Sequence, residues 1–261
     1  MTEPAPQQDY GFRHVLIDYP APGVVLLTLN RPDRHNAANA MLHEELSHIP
    51  ARIDADGGAR VAVVTGAGKA FCVGGDYADI AAGTDDFTYK LNGMRETLQL
   101  VSSIVDMRKP IISAINGPAA GAGLALALLA DISVANEEAN LSDGHTKIGL
   151  AAGDHAALIW PLLCSLAKAK RYLLTADKIS GREAERIGLV SEAASPDQVL
   201  PRALELAEQL AALSPLAVEL TKRSLNSWLR QAMPSFESSL GYEMLTTFSP
   251  DHLAAMSGKD R

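Results

Sequence analysis

Only two cysteines, Cys72 and Cys164, occur in the 261 residues, too few for a disulfide framework or a cysteine-rich metal site. Long basic runs are also missing and the formal net charge is −8, which argues against nucleic-acid binding. The most apolar run, Ala119 to Ala130, is too short to span a bilayer and is followed by Asp131. Because the N-terminus lacks the pattern of a signal peptide, we expect a cytoplasmic protein with no membrane partner.

The glycine-rich segments do not match the common nucleotide-binding motifs. Thr65-Gly-Ala-Gly-Lys69 lacks the spacing GxxxxGK[ST], since Ala70 follows the lysine. Gly117, Gly121 and Gly123 do not form GxGxxG. The sequence therefore predicts neither a phosphate loop nor a dinucleotide-binding fold of the Rossmann type.

The hydrophobic pattern divides the chain into a tail (residues 1–13), an α/β core (residues 14–195) and an all-helical region (residues 196–261). Strands are predicted at His14–Tyr19, Val24–Leu29, Val61–Val64, Ile111–Ile115 and Ile132–Ala135. Helices are predicted at Met41–Asp54, Phe87–Met107 and Ala156–Thr175, with three more after Pro201. We expect the last quarter to pack on a neighbouring subunit.

Two glycine-bearing loops, Phe71–Asp76 and Asn116–Gly123, each follow a short apolar strand of the buried kind. Strand, glycine loop and helix thus occur twice in succession, which places both loops at equivalent ends of neighbouring strands. Ligands of α/β sheets tend to bind at such ends. A helix that begins at the second loop is either a tightly packed core helix or part of an oxyanion site built from backbone N–H groups.

Several sequence blocks resemble the enoyl-CoA hydratase/isomerase (crotonase) superfamily, in order and in spacing. The blocks are Asn30-Arg-Pro, Val63–Asp76, Lys109–Pro118, Leu128–Ile132, Leu173–Asp177, Ala184–Val190 and Leu220–Leu225. The resemblance implies an α/β fold in which a spiral of ββα units is followed by a helical trimerisation region. It also implies a homotrimer or homohexamer that acts on an acyl-CoA, with coenzyme A as part of the substrate and neither a cofactor nor a metal.

The same resemblance implies where a thioester would bind. Its carbonyl oxygen would lie between the backbone N–H groups of Gly75 and Ala122. An enolate carries negative charge on that oxygen, and each fixed donor stabilises it by about 3 kcal/mol. Residues Gly75, Asp76, Tyr77 and Ala78 match the segment that lines the coenzyme A moiety.

The sequence departs from the family at both catalytic glutamates of its hydratases, because the matching positions are Ala125 and His145. Hydration by two glutamates is therefore excluded. Asp154 and His145 are the candidate proton carriers, with burial expected to raise the pKa of Asp154. The alternatives are that Asp154 caps a helix near Ala156 and that His145 is structural.

Three neighbouring polar residues receive less weight. Glu243, on the last predicted helix, could reach the site in a fold of this family, but we give it a low weight. His155 is expected to face away from the site or to cap the helix, and Asp143 is expected to be a turn residue.

Three functions remain open. The leading hypothesis is an acyl-CoA enzyme of the hydratase/isomerase group, with isomerisation favoured because it needs a single proton carrier. The segment Asp143–Pro161 is also similar to the branch that contains oxocamphor hydrolase, which cleaves a C–C bond in cyclic β-diketones without coenzyme A. The third hypothesis is a catalytically silent subunit, suggested by the loss of both glutamates.

Overall fold

A computed structural model describes residues 8–257, which form two β-sheets surrounded by helices. The strands are β1 (Val15–Ala21), β2 (Val24–Leu29), β3 (Val61–Gly66), β4 (Ile111–Ile115), β5 (Ala119–Ala120), β6 (Ile132–Asn136), β7 (Asn140–Ser142), β8 (Ile179–Ser180) and β9 (Glu192–Ala194). The helices are α1 (Ala40–Ala55), α2 (Tyr77–Ala82), α3 (Phe87–Asp106), α4 (Gly121–Leu129), α5 (Ala156–Thr175), α6 (Gly181–Arg186), α7 (Val199–Ala211), α8 (Pro215–Leu225), α9 (Ser227–Thr246) and α10 (Pro250–Ser257). Within residues 8–257, none of the helices has the length and apolarity needed to cross a membrane.

The larger sheet has six strands in the order β1-β2-β3-β4-β6-β9. Strand β1 is antiparallel to β2, whereas every other neighbouring pair in this sheet is parallel. A smaller sheet contains β5, β7 and β8. Because β3 and β4 are parallel neighbours, their carboxyl ends lie at the same edge, and both glycine loops leave the sheet there. The predicted α/β fold with C-terminal helices is confirmed, and its larger sheet is mostly parallel.

Both faces of the larger sheet are covered, which explains why its central strands are continuously apolar. Val61 and Val63 of β3 pack with α7, whereas Ala62 and Val64 join the core formed with α1, α3 and α4. Helix α7 thus covers the sheet of its own chain, although it falls in the predicted oligomerisation region (residues 196–261). The domain boundaries themselves stay a prediction.

The predicted N-terminal tail is partly anchored to the core. Residues 1–7 lie outside the described residues, but Tyr10 is only 3% exposed. The Tyr10 hydroxyl donates to Asp56 Oδ2 at 2.9 Å, and the Tyr19 hydroxyl donates to the same oxygen at 2.5 Å. The expectation of a loose tail is therefore wrong at Tyr10, because a buried tyrosine ring and its hydrogen bond hold this part of the chain.

Helix α5 contains a local break at Cys164 and Ser165 that the sequence did not indicate. Exposed Ser165 has φ 72° and ψ 154°, a region of backbone space that favours glycine. Replacing Ser165 with glycine is expected to raise the free energy of unfolding by about 1 kcal/mol, because the strain of a Cβ atom disappears. Chemical denaturation with an unchanged m-value would measure this gain.

The matched control for this variant is Ser238→Gly, at an exposed position in the regular part of α9. There glycine should lower the free energy of unfolding by about 0.5–1 kcal/mol. Equal destabilisation by both substitutions would show that Ser165 is not strained.

Candidate active site

A cavity of about 610 Å³ opens at the sheet edge where β3 and β4 end. Its wall combines the two glycine loops, the loop after β7 and the helices α3 and α9. Gly75, Ala122, His145, Asp154 and Glu243 all line it. The structure thus brings both predicted oxyanion residues and both predicted proton carriers to one cavity.

The first glycine loop offers the backbone N–H of Gly75. Ala38 pairs with this loop on either side of Gly75, since its N–H donates to Gly74 O at 2.7 Å and its carbonyl accepts from Asp76 N at 2.9 Å. Neither of these bonds uses the N–H of Gly75, which lies on the cavity wall. It is therefore available to a ligand.

The second glycine loop offers the backbone N–H of Ala122. Ala122 is the second residue of α4, and N–H groups in the first turn of a helix have no partner within it. A Cβ atom on Gly123 would lie only 2.3 Å from the carbonyl oxygen of Cys72. Glycine is thus required for the two loops to approach each other, and with both donors on one wall the loops can bind an oxyanion.

His145 begins a short 3₁₀-helix, His145–Ile148, and directs one ring nitrogen towards the cavity. Its Nδ1 donates to Asp143 Oδ1 at 2.7 Å. Its Nε2 lies 3.8 Å from Asp154 Oδ2 and 3.7 Å from Glu243 Oε1. These two separations are too long for hydrogen bonds.

The three side chains share one arrangement, in which one polar atom is held by a neighbour and another faces the cavity. Asp154 Oδ1 accepts from His155 Nδ1 at 2.7 Å, and Glu243 Oε2 accepts from Gly153 N at 3.2 Å. His145, Asp154 and Glu243 each present one atom to a common point, with these atoms within 4.8 Å of one another. A substrate atom or a water molecule at that point would contact all three.

A sequence model of the family "Enoyl-CoA hydratase/isomerase" matches residues 21–250. The chain belongs to this family.

Its similarity to individual members of the enoyl-CoA hydratase/isomerase family covers most of the chain. A probable enoyl-CoA hydratase of Mycobacterium leprae is 37% identical over 217 residues, which are 81% of this chain and 74% of that protein. The crystal structure of an enoyl-CoA hydratase/isomerase from Mycobacterium paratuberculosis superimposes with a TM-score of 0.91 at 34% identity, over 95% of this chain and all of that one. A monofunctional enoyl-CoA isomerase from M. smegmatis gives a TM-score of 0.72 at 30% identity, over 87% of this chain and 98% of that one.

The acid–base groups of the site differ from the glutamate pair that the resemblance leads one to expect. Ala125 lies buried in α4 on the cavity wall and carries no titratable group. A carboxyl group is supplied instead by Glu243 of α9, a residue of low weight in the sequence analysis. Leu240 and Met244 line the cavity beside it, one helical turn apart. In the sequence, this spacing indicates an apolar face of α9, but it does not indicate which loop that face contacts in the folded chain.

The predicted coenzyme A segment is only partly at the cavity. Gly75 and Tyr77 line the cavity, but Asp76 and Ala78 are not on its wall. The Asp76 carboxylate instead accepts from Ala78 N at 3.1 Å at the start of α2 and pairs with Arg31 at 3.1 Å. The roles of these residues stay a prediction.

The pKa values of His145 and Glu243 are both raised, for different reasons. Burial lowers the pKa of His145, but the carboxylates of Asp154, Asp143 and Glu243 outweigh burial and raise it well above its ordinary value. Burial raises the pKa of Glu243 to about 8; Asp154 and Asp143 add to this increase, and the charge of His145 opposes it. Near neutral pH this part of the site therefore holds protons.

Asp154 behaves contrary to the expectation from sequence. Burial raises its pKa, but the charges of His155 and His145 and the hydrogen bond from His155 outweigh burial, so the pKa lies below its ordinary value. The expected rise was wrong because the sequence did not show two imidazoles beside the carboxylate. Asp154 does not cap α5 either, since His155 is the N-cap residue and no side chain caps that end.

His155 does not line the cavity, as expected of a residue that faces away from the site, and Asp143 has a contact beyond its expected turn. His155 is buried against Asp154 and makes no capping hydrogen bond. Asp143 does accept from His145 N, as a turn residue would, but it also holds the His145 ring.

Two sets of side chains within residues 8–257 meet the distance requirement for a metal ion: His145, Asp154 and Glu243, and Asp143, Asp154 and His155. The expected absence of a metal stays a prediction.

The raised pKa of Glu243 predicts a pH-dependent cost to stability. The folded chain binds a proton here that the unfolded chain has lost, so Glu243 makes the native state less stable as the pH rises from about 4.5 to about 8. Relative to wild type, the Glu243→Gln variant should gain on the order of 1–3 kcal/mol in free energy of unfolding between these pH values. Urea denaturation of both proteins at pH 5 and pH 8 would measure the difference; a difference independent of pH would show that Glu243 is not protonated in the folded state.

Proposed function

We propose that the protein catalyses proton transfer on an acyl-CoA thioester, with double-bond isomerisation as its reaction. The thioester oxygen would accept hydrogen bonds from Gly75 N and Ala122 N, while His145, Asp154 and Glu243 move the proton. The observation that carries this proposal is that three convergent polar atoms and two available N–H donors lie on the walls of one cavity.

The chemistry requires one group that removes a proton from one carbon and one that donates a proton to another. Glu243, with its pKa of about 8, is partly ionised near the working pH, and its carboxylate would remove the first proton. His145 would donate the second, because the carboxylates of Asp143 and Asp154 stabilise its charged, proton-bearing form. Transfer of the proton from Glu243 to His145 would then restore both groups. The enolate that forms between the two transfers carries its charge on the oxygen held by the backbone donors.

The cavity has an apolar wall for the acyl group. Leu100 and Val101 of α3 and Leu240 and Met244 of α9 line the same space as the polar atoms. A volume of about 610 Å³ exceeds what a short acyl chain fills, which leaves room for part of the coenzyme A arm. These features support an acyl thioester as substrate and do not specify its chain.

The experiment that tests the proposal is incubation of the protein with 3-enoyl-CoA, crotonyl-CoA and cyclic β-diketones in D₂O, followed by NMR. Conversion of the 3-enoyl to the 2-enoyl thioester with deuterium at the exchanged carbon is the expected result. Formation of 3-hydroxyacyl-CoA from crotonyl-CoA would show hydration instead. Failure to convert any thioester would contradict the proposal, and failure to convert any diketone as well would favour the silent subunit.

A C–C bond hydrolase of cyclic β-diketones is the second candidate, and the gap between the three polar atoms supports it. Separations of 3.7 and 3.8 Å around His145 Nε2 leave space for a water molecule that all three groups could contact. Calorimetry separates the two candidates, because the isomerase must bind coenzyme A thioesters. Cleavage of a diketone without binding of coenzyme A or acyl-CoA would favour the hydrolase.

We also propose that the chain assembles into homotrimers or homohexamers through its C-terminal helices. Large apolar side chains are exposed on α8 and α9, among them Leu216, Leu220, Trp228, Tyr242 and Leu245. An apolar surface of this kind is typical of subunit interfaces. Light scattering coupled to size-exclusion chromatography would give the assembly size, and a monomer at micromolar concentration would contradict the proposal.

A further inference from the structure

His155 is a buried imidazole that does not line the cavity, and no step of the proposed reaction uses it. Its side chain is fully buried at the first turn of α5 but makes no capping hydrogen bond there. Its Nδ1 donates to Asp154 Oδ1 at 2.7 Å, whereas its Nε2 has no hydrogen-bond partner within residues 8–257. Burying an imidazole with an unpartnered nitrogen is costly, so its contact with Asp154 calls for an explanation.

The contact determines how Asp154 faces His145. Because His155 holds Oδ1, the carboxylate cannot rotate freely, and Oδ2 is the atom left at the cavity, 3.8 Å from His145 Nε2. A carboxylate buried to this degree without a donor would tend to take up a proton or turn away. His155 supplies that donor from behind, and the carboxylate keeps its free oxygen on the reacting side.

The charged groups around this pair form a compact cluster, in which Asp143 lies close to both Asp154 and His155. Asp143, before the 3₁₀-helix, contacts His145; His145 faces Asp154; and Asp154 contacts His155 at the start of α5. From α9, Glu243 faces His145 as the remaining titratable group of the cluster. Burial lowers the pKa of His155, but the charge of Asp154 and its hydrogen bond outweigh burial and raise it.

We propose that His155 is a positioning residue that keeps Asp154 ionised and directs its Oδ2 towards His145 and the substrate. This inference rests on the proposed function in assigning proton transfer to His145 and Asp154. The pairing of His155 with Asp154 is a separate property that can be measured without turnover.

The first test uses histidine labelled with ¹⁵N and NMR from about pH 5 to about pH 9. The signals of His155 are assigned with the His155→Asn variant. The pKa of His155 should lie above its ordinary value in the wild-type protein, and Asp154→Asn should lower it, because the Asp154 carboxylate then no longer joins Asp143 in opposing burial. A His155 pKa that is not raised in the wild-type protein, or one unaffected by Asp154→Asn, would overturn the proposal.

The second test compares two variants by exchange of α-hydrogens of an acyl-CoA in D₂O. His155→Asn retains a side-chain hydrogen-bond donor without a charge, whereas His155→Leu fills the space and keeps only the backbone N–H of this position as a donor to Asp154. We expect the exchange rate to fall by about 10-fold in the asparagine variant and by about 100-fold in the leucine variant. Affinity for acyl-CoA should stay within about twofold of wild type in both variants. In the leucine variant, the acidic limb of the pH–rate profile should shift to higher pH.

The matched control is His48→Asn, since His48 is exposed on α1 and lies outside the cavity wall. Its exchange rate and pH profile should equal those of the wild type. A folded His155→Leu variant with wild-type rate and pH profile would overturn the positioning role. If the wild-type protein exchanges hydrogens of no thioester, the proposed function fails, and the NMR titration still decides whether His155 and Asp154 form the pair.

Discussion

Turnover should fall by about 10²–10⁴-fold when His145 is replaced with glutamine, with the affinity for acyl-CoA nearly unchanged. The ring nitrogen Nε2 lies 3.8 Å from Asp154 Oδ2 and 3.7 Å from Glu243 Oε1. Without the imidazole, no proton-carrying group remains between these two carboxyl groups. Glutamine has polar atoms of similar reach but cannot take up a proton. The loss should therefore appear in kcat and not in KM.

The measurement is initial-rate kinetics on the thioester that the substrate panel identifies, with acyl-CoA affinity determined by calorimetry. His48→Gln is the matched control, because it makes the same chemical change at an exposed position of α1. Wild-type kcat in a folded His145→Gln variant would remove His145 from the mechanism and leave Asp154 and Glu243 as the remaining proton carriers.

The second large effect is expected from Ala122→Pro, which removes one proposed oxyanion donor and leaves the side-chain positions unchanged. Proline lacks the backbone N–H but is tolerated in the first turn of a helix, and Ala122 is the second residue of α4. Loss of one oxyanion donor typically lowers kcat by about 10²–10³-fold. Binding of coenzyme A itself should change little, since the donor contacts only the thioester oxygen.

Leu216→Pro makes the equivalent change in a helix remote from the cavity. Leu216 is the second residue of α8 and is exposed on the proposed assembly surface, so the loss of its N–H should leave kcat at the wild-type value in a variant that light scattering shows to keep the wild-type assembly size. Circular dichroism of both variants shows whether the helices are retained. If a folded Ala122→Pro variant kept its activity, the enolate oxygen would bind elsewhere.

The sequence was sufficient to predict the α/β fold and the position of the two glycine loops. Strands β3 and β4 are short, apolar and each followed by a glycine loop, and this local pattern places the two loops at neighbouring strand ends, whereas the family resemblance singled out Gly75 and Ala122 within them. The blocks that resemble the enoyl-CoA hydratase/isomerase family fixed membership, which the family match over residues 21–250 confirms. Backbone geometry of this kind depends on residue size and spacing, both of which are visible in a sequence.

The acid–base part of the site could be predicted only incompletely. His145 and Asp154 were identified from their loop, but the direction of the Asp154 pKa shift was wrong, because two imidazoles approach the carboxylate in the folded chain. Glu243 received little weight, since it lies about 90 residues away in the sequence and reaches the cavity through the packing of α9 on α5. Proton affinities depend on burial and on neighbouring charges, and both arise only on folding.

By itself, the sequence determined the fold class and the family, because these follow from residue identity and spacing along the chain. The tertiary structure decided which side chains meet. It placed Glu243 opposite His145, put His155 behind Asp154 and showed that α7 covers the sheet of its own chain. These contacts join segments that are distant in sequence, and no local pattern specifies them.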